Sequence, residues 1–225
     1  MSPGVNLPPV LCITGTDTGV GKTIATAALA AALSAVGRTV AVYKPTQAGL
    51  EDGDGDIDVV RRLGGIESVH EGIRLQYPMA PVAAAAREGV ALVPLSVHRA
   101  TVAALATHHD ITLVEGAGGL LVHLDDNGGT LADLAVPDSA YIVVCRATLG
   151  TLNHTELTLE ALRNRGCVVA GLIIGTWPAR PSETELSNRD YFSRCGVPLL
   201  GAIPSGAGDL SPAEFRAATA ESIVL

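Results

Sequence analysis

A glycine-rich segment near the N-terminus carries the clearest chemical signal in this sequence. It runs from Thr14 to Thr23, follows the apolar segment 10–13 and precedes an alanine-rich one. In loops of this kind, backbone N–H groups face a polyphosphate, the ammonium of Lys22 reaches the outer phosphates and the hydroxyl of Thr23 binds Mg²⁺. The usual loop has four residues between its first glycine and the Gly-Lys pair, whereas this one has five, 16–20. The segment predicts a nucleoside triphosphate ligand, and a plain strand-to-helix turn is the open alternative.

Two further residues with suitable chemistry each follow a predicted strand. Lys44 ends the strand 39–43, where Pro45 obstructs further pairing. Glu115 ends the apolar strand 111–114 and precedes the glycine-rich segment 116–119. Nucleotide-binding α/β folds place a metal-directed acid at such a strand end. We therefore predict that Glu115 binds a metal or holds a water molecule, with capping of the next turn as the alternative.

Asp56 begins a predicted helix and belongs to an alternating acidic series with Asp52, Asp54 and Asp58. The series resembles a calcium loop only superficially. An EF-hand needs glycine at its sixth position and a carboxylate at its twelfth, but counting from Asp52 these positions are occupied by isoleucine and leucine. We expect solvated loop residues here, one of which is available to the metal of the nucleotide.

The elements that must position these residues alternate between strands and helices. The pattern predicts an α/β fold of the P-loop NTPase type, a parallel sheet with helices on both faces and ligands at the carboxyl ends of the strands. The predicted strands are 10–13, 39–43, 111–114, 140–144, 168–174 and 197–203. The predicted helices are 22–36, 56–63, a small one at 82–86, 95–108, 155–165, 183–194 and one from 212.

Length and composition limit the class of protein. A chain of 225 residues suits one sizeable domain, 1–225. The net charge of −8 and the lack of basic clusters argue against a nucleic-acid partner. The four cysteines show no zinc or disulfide spacing, and no signal-like or membrane-spanning apolar run is present. We expect a cytoplasmic, reducing compartment and no membrane partner.

Four segments together resemble one enzyme family. They are Thr14-Gly-Thr-Asp-Thr-Gly-Val-Gly-Lys-Thr23, Lys44-Pro-Thr-Gln-Ala-Gly49, Val114-Glu-Gly-Ala-Gly-Gly119 and Leu149-Gly-Thr-Leu-Asn-His154. Their order and distances resemble those of the ATP-dependent dethiobiotin synthetases, and the lengthened phosphate loop is itself a feature of that family. The resemblance runs from about residue 10 to residue 204.

The resemblance implies a homodimer that carboxylates 7,8-diaminononanoate with CO₂. ATP then phosphorylates the carbamate to a carbamic-phosphoric anhydride, and the second amine displaces phosphate to close the ring of dethiobiotin. ATP is the expected co-substrate, although other nucleoside triphosphates are possible, and Mg²⁺ is the expected metal.

The resemblance also assigns roles to individual positions. The residues expected to act on the reactants are Lys22, Lys44 and Thr18. The nucleotide is expected to contact Gly19, Val20, Gly21, Lys22, Thr23, Ile24, Glu115, Gly116, Ala117, Gly118, Gly175, Thr176, Pro204, Ser205 and Gly206. The substrate is expected to contact Thr18, Lys44, Ala48 and Gly118, together with Leu149, Leu152 and Asn153 of the neighbouring subunit. The expected Mg²⁺ ligands are Thr23, Asp56 and Glu115.

The sequence departs from the commonest family pattern at three places. Ala48 stands where a serine or threonine hydroxyl often assists near the substrate, a role that Thr46 could supply. Gly19 replaces an acidic residue found in some members. Gly175-Thr176-Trp177 stands where many members have an asparagine that reads adenine.

Other classes of protein remain as alternatives at this point. A partition-type ATPase of the same fold class usually has a second lysine early in the loop, where this chain has Thr16 and Asp17. An amidating enzyme of corrinoid synthesis shares segments like 115–119 but needs a glutamine-hydrolysing domain, for which 225 residues leave no room. A non-enzymatic nucleotide-binding module is the third alternative.

Overall fold

The fold is built around a parallel sheet with helices on both faces, which confirms the predicted fold class. The computed structural model describes residues 7–49, 55–134 and 136–224. In the order β3-β2-β4-β1-β5-β6-β7, the sheet of the described residues contains β1 (Val10–Gly15), β2 (Val40–Ala48), β3 (Val69–Leu75), β4 (Ile111–Gly119), β5 (Ser139–Cys145), β6 (Val169–Trp177) and β7 (Leu199–Pro204). All of their pairings are parallel.

The helices of the described residues cover the two faces of the sheet. They are α1 (Lys22–Ala35), α2 (Asp56–Gly64), α3 (Pro81–Glu88), α4 (Leu95–Ala106), α5 (Thr151–Asn164), α6 (Glu183–Phe192) and α7 (Pro212–Ala220), with short 3₁₀ turns at Leu131–Asp133 and Ala207–Asp209. The longest have 14 residues, and no helix in the described ranges is long and apolar enough to cross a membrane.

Two separate apolar layers form most of the core. On one face, the small side chains of α1 pack with α2 and α7 against the sheet, with Leu29, Leu63 and Phe215 completely buried. On the other face, α4, α5 and α6 contribute Val102, Leu159 and Phe192. Because the central strands are covered on both sides, they are continuous apolar runs rather than alternating ones.

The strand order brings the predicted chemical groups to one edge of the sheet. β1 lies between β4 and β5, and β2 lies beyond β4. All strands run in the same direction, so the segments that follow β1, β2 and β4 emerge together at their carboxyl ends. The phosphate loop follows β1, and Lys44 and Glu115 come directly after the last β2–β4 pair, Tyr43 with Val114. Both strands continue beyond the predicted ends, to Ala48 and Gly119.

β2 is longer than the sequence predicts, and the expected stop at Pro45 is wrong. The strand continues to Ala48 because it stays paired with β3, up to Ala48 opposite Leu75. Val42 donates its N–H to Ser68 on the β3 side, and in a strand the bonding direction alternates from residue to residue. Pro45 therefore faces the β4 side, where pairing has already ended at Tyr43, so its missing N–H removes no ladder bond.

β3 is absent from the predicted set of strands. It is the edge strand next to β2. Its sequence mixes apolar residues with charged ones and contains Gly72, so it forms no apolar run. Edge strands are half solvated and short on strong sequence signals. The omission matters because β3 supports the end of β2 that carries Lys44.

A buried tyrosine–histidine pair lies directly beneath that end of β2. The hydroxyl of Tyr43 is 2.6 Å from Nδ1 of His98, and His98 is completely buried. Burial lowers the pKa of His98 below its ordinary value of 6.5, and the nearby charge of Asp125 opposes this only in part. The unfolded chain takes up a proton near that value while the folded chain does not, so stability falls as the pH drops below it.

We expect the free energy of unfolding to decrease on acidification below about pH 6.5, by at most about 1.4 kcal/mol per pH unit for one proton. Urea unfolding of the protein at a series of pH values measures this slope. His98→Gln removes the ionisable group and should make the slope shallower, while His108→Gln, at an exposed position, should leave it unchanged. Equal slopes for His98→Gln and the wild type would contradict the assignment.

Candidate active site

The phosphate loop has the strand–loop–helix context that the sequence predicts. It leaves β1 after Gly15 and enters α1 at Lys22, with Gly19 and Gly21 in the left-handed region at φ 70° and 94°. The N–H of Thr16 donates to Val144 O at 3.0 Å, and Lys22 Nζ donates to Asp17 O at 3.0 Å. These contacts fix the loop at the N-terminus of α1, where backbone N–H groups favour an anion.

Arg146 holds the outer side of the same loop. Its guanidinium, in the segment between β5 and α5, donates to the carboxylate of Asp17 at 3.0 Å and to the carbonyl of Thr18 at 3.1 Å. No local pattern predicts this contact, because its partners are more than a hundred residues apart in the chain.

A buried charge cluster lies beside the loop. Lys44 Nζ donates to Glu115 Oε1 at 2.8 Å and to the carbonyl of Gly116 at 3.1 Å, and it lies 2.5 Å from Asp56 Oδ2. The hydroxyl of Thr23 donates to the same Glu115 oxygen at 3.0 Å. Lys44 and Glu115 are only 3% and 1% exposed. Residues from β2, β4, α1 and α2 thus converge on one point, as their positions at strand ends and helix starts predict.

The surroundings set the charges of these groups. Burial alone lowers the pKa of Lys44, but the carboxylates of Glu115 and Asp56 outweigh it and raise that pKa above its ordinary value. Burial alone raises the pKa of Asp56, and the ammonium of Lys44 outweighs it and lowers that pKa. Lys22 differs: burial, then the charge of Lys44, lower its pKa to about 8. At neutral pH, Lys44 and Asp56 are therefore firmly charged, while Lys22 loses its proton more readily.

A cavity of about 690 Å³ opens above the cluster. The site residues expected from the sequence that line it are Thr18, Gly19, Gly21, Lys22, Thr23, Ile24, Lys44, Ala48, Asp56, Glu115, Ala117 and Gly118. The chain contains only two lysines, and both line this cavity.

Some walls of the cavity were not predicted. They are Gln47, Gly49, the segment 78–81 and Val122. The segment 78–81 follows β3 in the chain, so a correct prediction of that strand would have placed it at the same edge of the sheet. Thr46 also lines the cavity, and its buried hydroxyl has no partner among the described residues. It is therefore free to contact a bound molecule.

The donor set of the cluster fits Mg²⁺. The described residues include no group of three or more histidines, cysteines, aspartates or glutamates arranged for a metal, but Mg²⁺ typically uses one or two carboxylates together with phosphates and water. Thr23, Asp56 and Glu115 offer one hydroxyl and two carboxylates around Lys44 Nζ. Asp52 and Asp54 lie outside the described residues.

Comparison with known proteins identifies the family of this chain. A family model described as an AAA domain matches residues 10–211. The ATP-dependent dethiobiotin synthetase BioD of Streptomyces coelicolor is 52% identical over 213 residues, covering 93% of this chain and 90% of the relative. The protein of the same name from Mycobacterium avium is 50% identical over 212 residues, with 94% and 93% covered. The chain belongs to the dethiobiotin synthetase family. It is an enzyme of that family.

Solved structures of other proteins share the fold. The septum site-determining protein MinD from Pyrococcus horikoshii, complexed with Mg-ADP, has a TM-score of 0.60 and 18% identity, with 95% of this chain and 91% of that chain covered. The cell division ATPase MinD from Pyrococcus furiosus has a TM-score of 0.59 at 18% identity, with 96% and 98% covered. At this identity the likeness concerns the fold alone.

The base-binding residues expected for a dethiobiotin synthetase lie apart from the main cavity. Gly175 packs backbone to backbone against the phosphate loop: a Cβ there would lie 1.9 Å from the carbonyl oxygen of Val20. Thr176 borders a second cavity of about 250 Å³ on the far side of Gly19. The turn 204–206 is tied to β6 by a 2.8 Å bond from Ser205 N–H to Trp177 O.

The substrate residues expected at the start of α5 also do not line the 690 Å³ cavity of their own chain. The helix begins at Thr151, four residues before the predicted start, because the hydroxyl of Thr151 is anchored to Arg146 O at 2.7 Å. Leu149 is 88% exposed, Asn153 is exposed and Leu152 is partly buried. Leu149 and Asn153 therefore face outward, whereas Leu152 packs partly against the core.

The contact between Gly175 and the phosphate loop generates a prediction. Gly175→Ala would push Val20 and the loop away from β6, and we expect ADP binding to weaken by about tenfold or more, equivalent to ~1.4 kcal/mol. Gly37→Ala is the control for adding a methyl group away from the loop, because a Cβ there meets nothing within 4 Å and the cost of its left-handed φ of 81° falls on stability rather than on ADP binding. Calorimetric titration with ADP measures both variants. Wild-type affinity in Gly175→Ala would disprove the close approach.

Proposed function

We propose that this chain is the synthetase that converts 7,8-diaminononanoate, CO₂ and ATP into dethiobiotin, ADP and phosphate. The observation that carries the proposal is the buried ammonium of Lys44, held beside the phosphate loop at the floor of a 690 Å³ cavity. The identity of about 50% to named dethiobiotin synthetases supports the choice of substrates. One domain, 1–225, would carry the whole reaction in the cytoplasm.

The chemistry follows from bringing anions together. One amine of the substrate adds to CO₂ and loses a proton, giving a carbamate. A carbamate oxygen attacks the γ-phosphorus of ATP, and the bond to ADP breaks. The second amine attacks the carbon of the resulting anhydride, and the bond to the phosphate oxygen breaks. The ring closes as phosphate leaves with the proton that the amine gives up. Such a sequence needs charge neutralisation and alignment more than a strong base.

The two lysines would supply that neutralisation. Lys22, at the start of α1, faces the outer phosphates, and Lys44 lies where the carbamate and the γ-phosphate meet. Thr18 lines the same cavity and would contact the amines and the carbamate, next to Ala48 and Gly118. The unpartnered hydroxyl of Thr46 would replace the hydroxyl that Ala48 lacks.

The nucleotide would lie along the phosphate loop from Gly19 to Ile24 and beside the segment 115–118. Its base would reach Gly175, Thr176 and the turn 204–206. Shortly after that turn, Gly208 lies next to Ile24, which belongs to the first turn of α1. Since Gly175 has no side chain to read the base, nucleoside triphosphates other than ATP would also be accepted.

Thr23, Asp56 and Glu115 would hold Mg²⁺. The ion would neutralise charge on the phosphates when bound. The protein groups have their own task in this arrangement: Lys44 and Thr23 keep the Glu115 carboxylate oriented by two hydrogen bonds to one oxygen.

A second copy of the chain would complete the site. Leu121, Leu149 and Leu157 are 47%, 88% and 57% exposed, and a homodimer would cover this apolar surface. The N–H groups at the start of α5 would then receive the substrate carboxylate from the neighbouring subunit, because a helix start favours an anion. The partners are thus small molecules and a second copy, without nucleic acid or membrane.

The first prediction from this function concerns phosphate release. With Mg²⁺-ATP and bicarbonate, release should depend on 7,8-diaminononanoate, and mass analysis should find dethiobiotin. Phosphate release that is independent of the diamine would indicate an ATPase switch instead. Lys44→Met should lower turnover by about 10²-fold or more, but it also leaves Glu115 buried without its main partner.

The double variant Lys44→Met/Glu115→Gln tests the effect of the unpaired charge on folding, because it removes both charges of the buried pair. We expect it to fold with near wild-type thermal stability and to remain inactive. Recovery of turnover together with stability would contradict a direct role for Lys44.

A second prediction tests the shared site. Asn153→Asp adds a negative charge at the start of α5 and should raise the KM for the diamine, whereas Asn164→Asp at the end of the same helix should not. Mixing inactive Lys44→Met/Glu115→Gln with Asn153→Asp gives hybrid dimers with one intact site, so about a quarter of wild-type activity at low diamine should return. No recovery after subunit exchange would contradict a site built from two chains.

A further inference from the structure

The first turn of α2 is attached to the sheet by contacts from β2 and β3. Asp56 begins this helix, and Gln47 Oε1 accepts its N–H at 2.9 Å. The carboxylate of Asp58 accepts the N–H of Gly55 and an N–H of Arg74, both at 3.2 Å. Gln47 and Arg74 are register partners on β2 and β3. Two neighbouring strands therefore fasten the turn that presents Asp56 to Lys44.

Arg74 is itself held in a fixed orientation. Its Nε and Nη2 donate to the two oxygens of Glu71 at 2.6 and 2.8 Å, a fork-to-fork geometry that specifies direction as well as attraction. Glu71 is in turn the register partner of Lys44. Neither Glu71 nor Arg74 lines the 690 Å³ cavity, so any effect they have on it acts through α2.

We propose that Arg74, oriented by Glu71, is a positioning residue that fixes the carboxylate of Asp56 for metal binding. The proposal rests on the assignment of Asp56 as a metal ligand in the proposed function. A single exposed ion pair contributes little, and the side chain of Arg74 is 41% exposed. The effect of Arg74 is instead indirect. It holds Asp58, which is two residues from Asp56 in the same helical turn, and a residue that orients a metal ligand in this way changes the affinity of the site for the metal.

Arg61 provides a matched control on the same helix. It lies 3.5 Å from the other oxygen of Asp58, so its removal also deprives Asp58 of a positive neighbour. Arg61 belongs to α2 itself, however, and does not connect the helix to β3. Of the two arginines, only Arg74 connects the turn to β3, so only its loss should leave the turn held by the Gln47 contact alone.

The experiment measures Mn²⁺ bound in the presence of ADP by electron paramagnetic resonance, which needs no turnover. Arg74→Ala should weaken Mn²⁺ binding by about three- to tenfold, the low end for a residue behind a ligand because the site is exposed. Arg74→Lys should fall between Arg74→Ala and the wild type, since an ammonium cannot form the fork. Arg61→Ala should match the wild type, and Asp56→Asn should bind most weakly.

Turnover gives an independent second readout. At saturating Mg²⁺, Arg74→Ala should retain wild-type kcat while its half-saturating Mg²⁺ concentration rises by the same factor. A lower melting temperature with unchanged Mn²⁺ affinity would overturn the proposal in favour of a structural role, as would equal effects of Arg74→Ala and Arg61→Ala. Absence of Mn²⁺ binding in the wild type would overturn it together with the metal assignment. Mn²⁺ binding with diamine-independent hydrolysis would refute the synthetase function while leaving the role of Arg74 intact.

Discussion

The contact of Lys44 with Glu115 and Asp56 is the interaction on which the rest of the site depends. Two nearly inaccessible opposite charges, Lys44 and Glu115, lose their hydration on folding, and such a pair is often no more stabilising than apolar side chains of the same size. Its presence is therefore better explained by chemistry than by stability. It also constrains the fold, because the pair forms only when β2 and β4 are neighbours in register and α2 returns over their ends.

Much of this arrangement is encoded locally. The phosphate loop, Lys44 and Glu115 each follow an apolar strand, and in a parallel sheet all such positions meet at one edge. The first helical residue after a loop is similarly well defined, which is why Asp56 was placed correctly. What could not be predicted depends on partners distant in the chain. Pro45 predicts the end of a strand. It is tolerated inside β2 because the pairing of β2 with β4 stops before it, while the pairing of β2 with β3 continues.

The outlying parts of the site were harder to predict for a different reason. Gly175 meets the phosphate loop through backbone atoms, and a missing side chain leaves no chemical pattern in a sequence. The residues around Leu149 and Asn153 were located by resemblance rather than by their chemistry, and within one chain they face outward. In the proposed dimer these residues would meet the rest of the site only across the subunit interface, so neither the sequence nor a single chain joins them to it.

The two lysines illustrate how position assigns different tasks to one residue type. Every other basic side chain apart from histidine is an arginine, whose planar fork suits exposed pairs such as that of Arg74 with Glu71. A lysine ammonium is a compact charge whose pKa responds strongly to burial. Lys44 contacts two carboxylates of the protein itself, which keep its ammonium charged before any ligand binds. Burial and the nearby ammonium of Lys44 lower the pKa of Lys22 to about 8. The negative charge of a bound polyphosphate would favour the protonated form of Lys22, as Glu115 and Asp56 already do for Lys44.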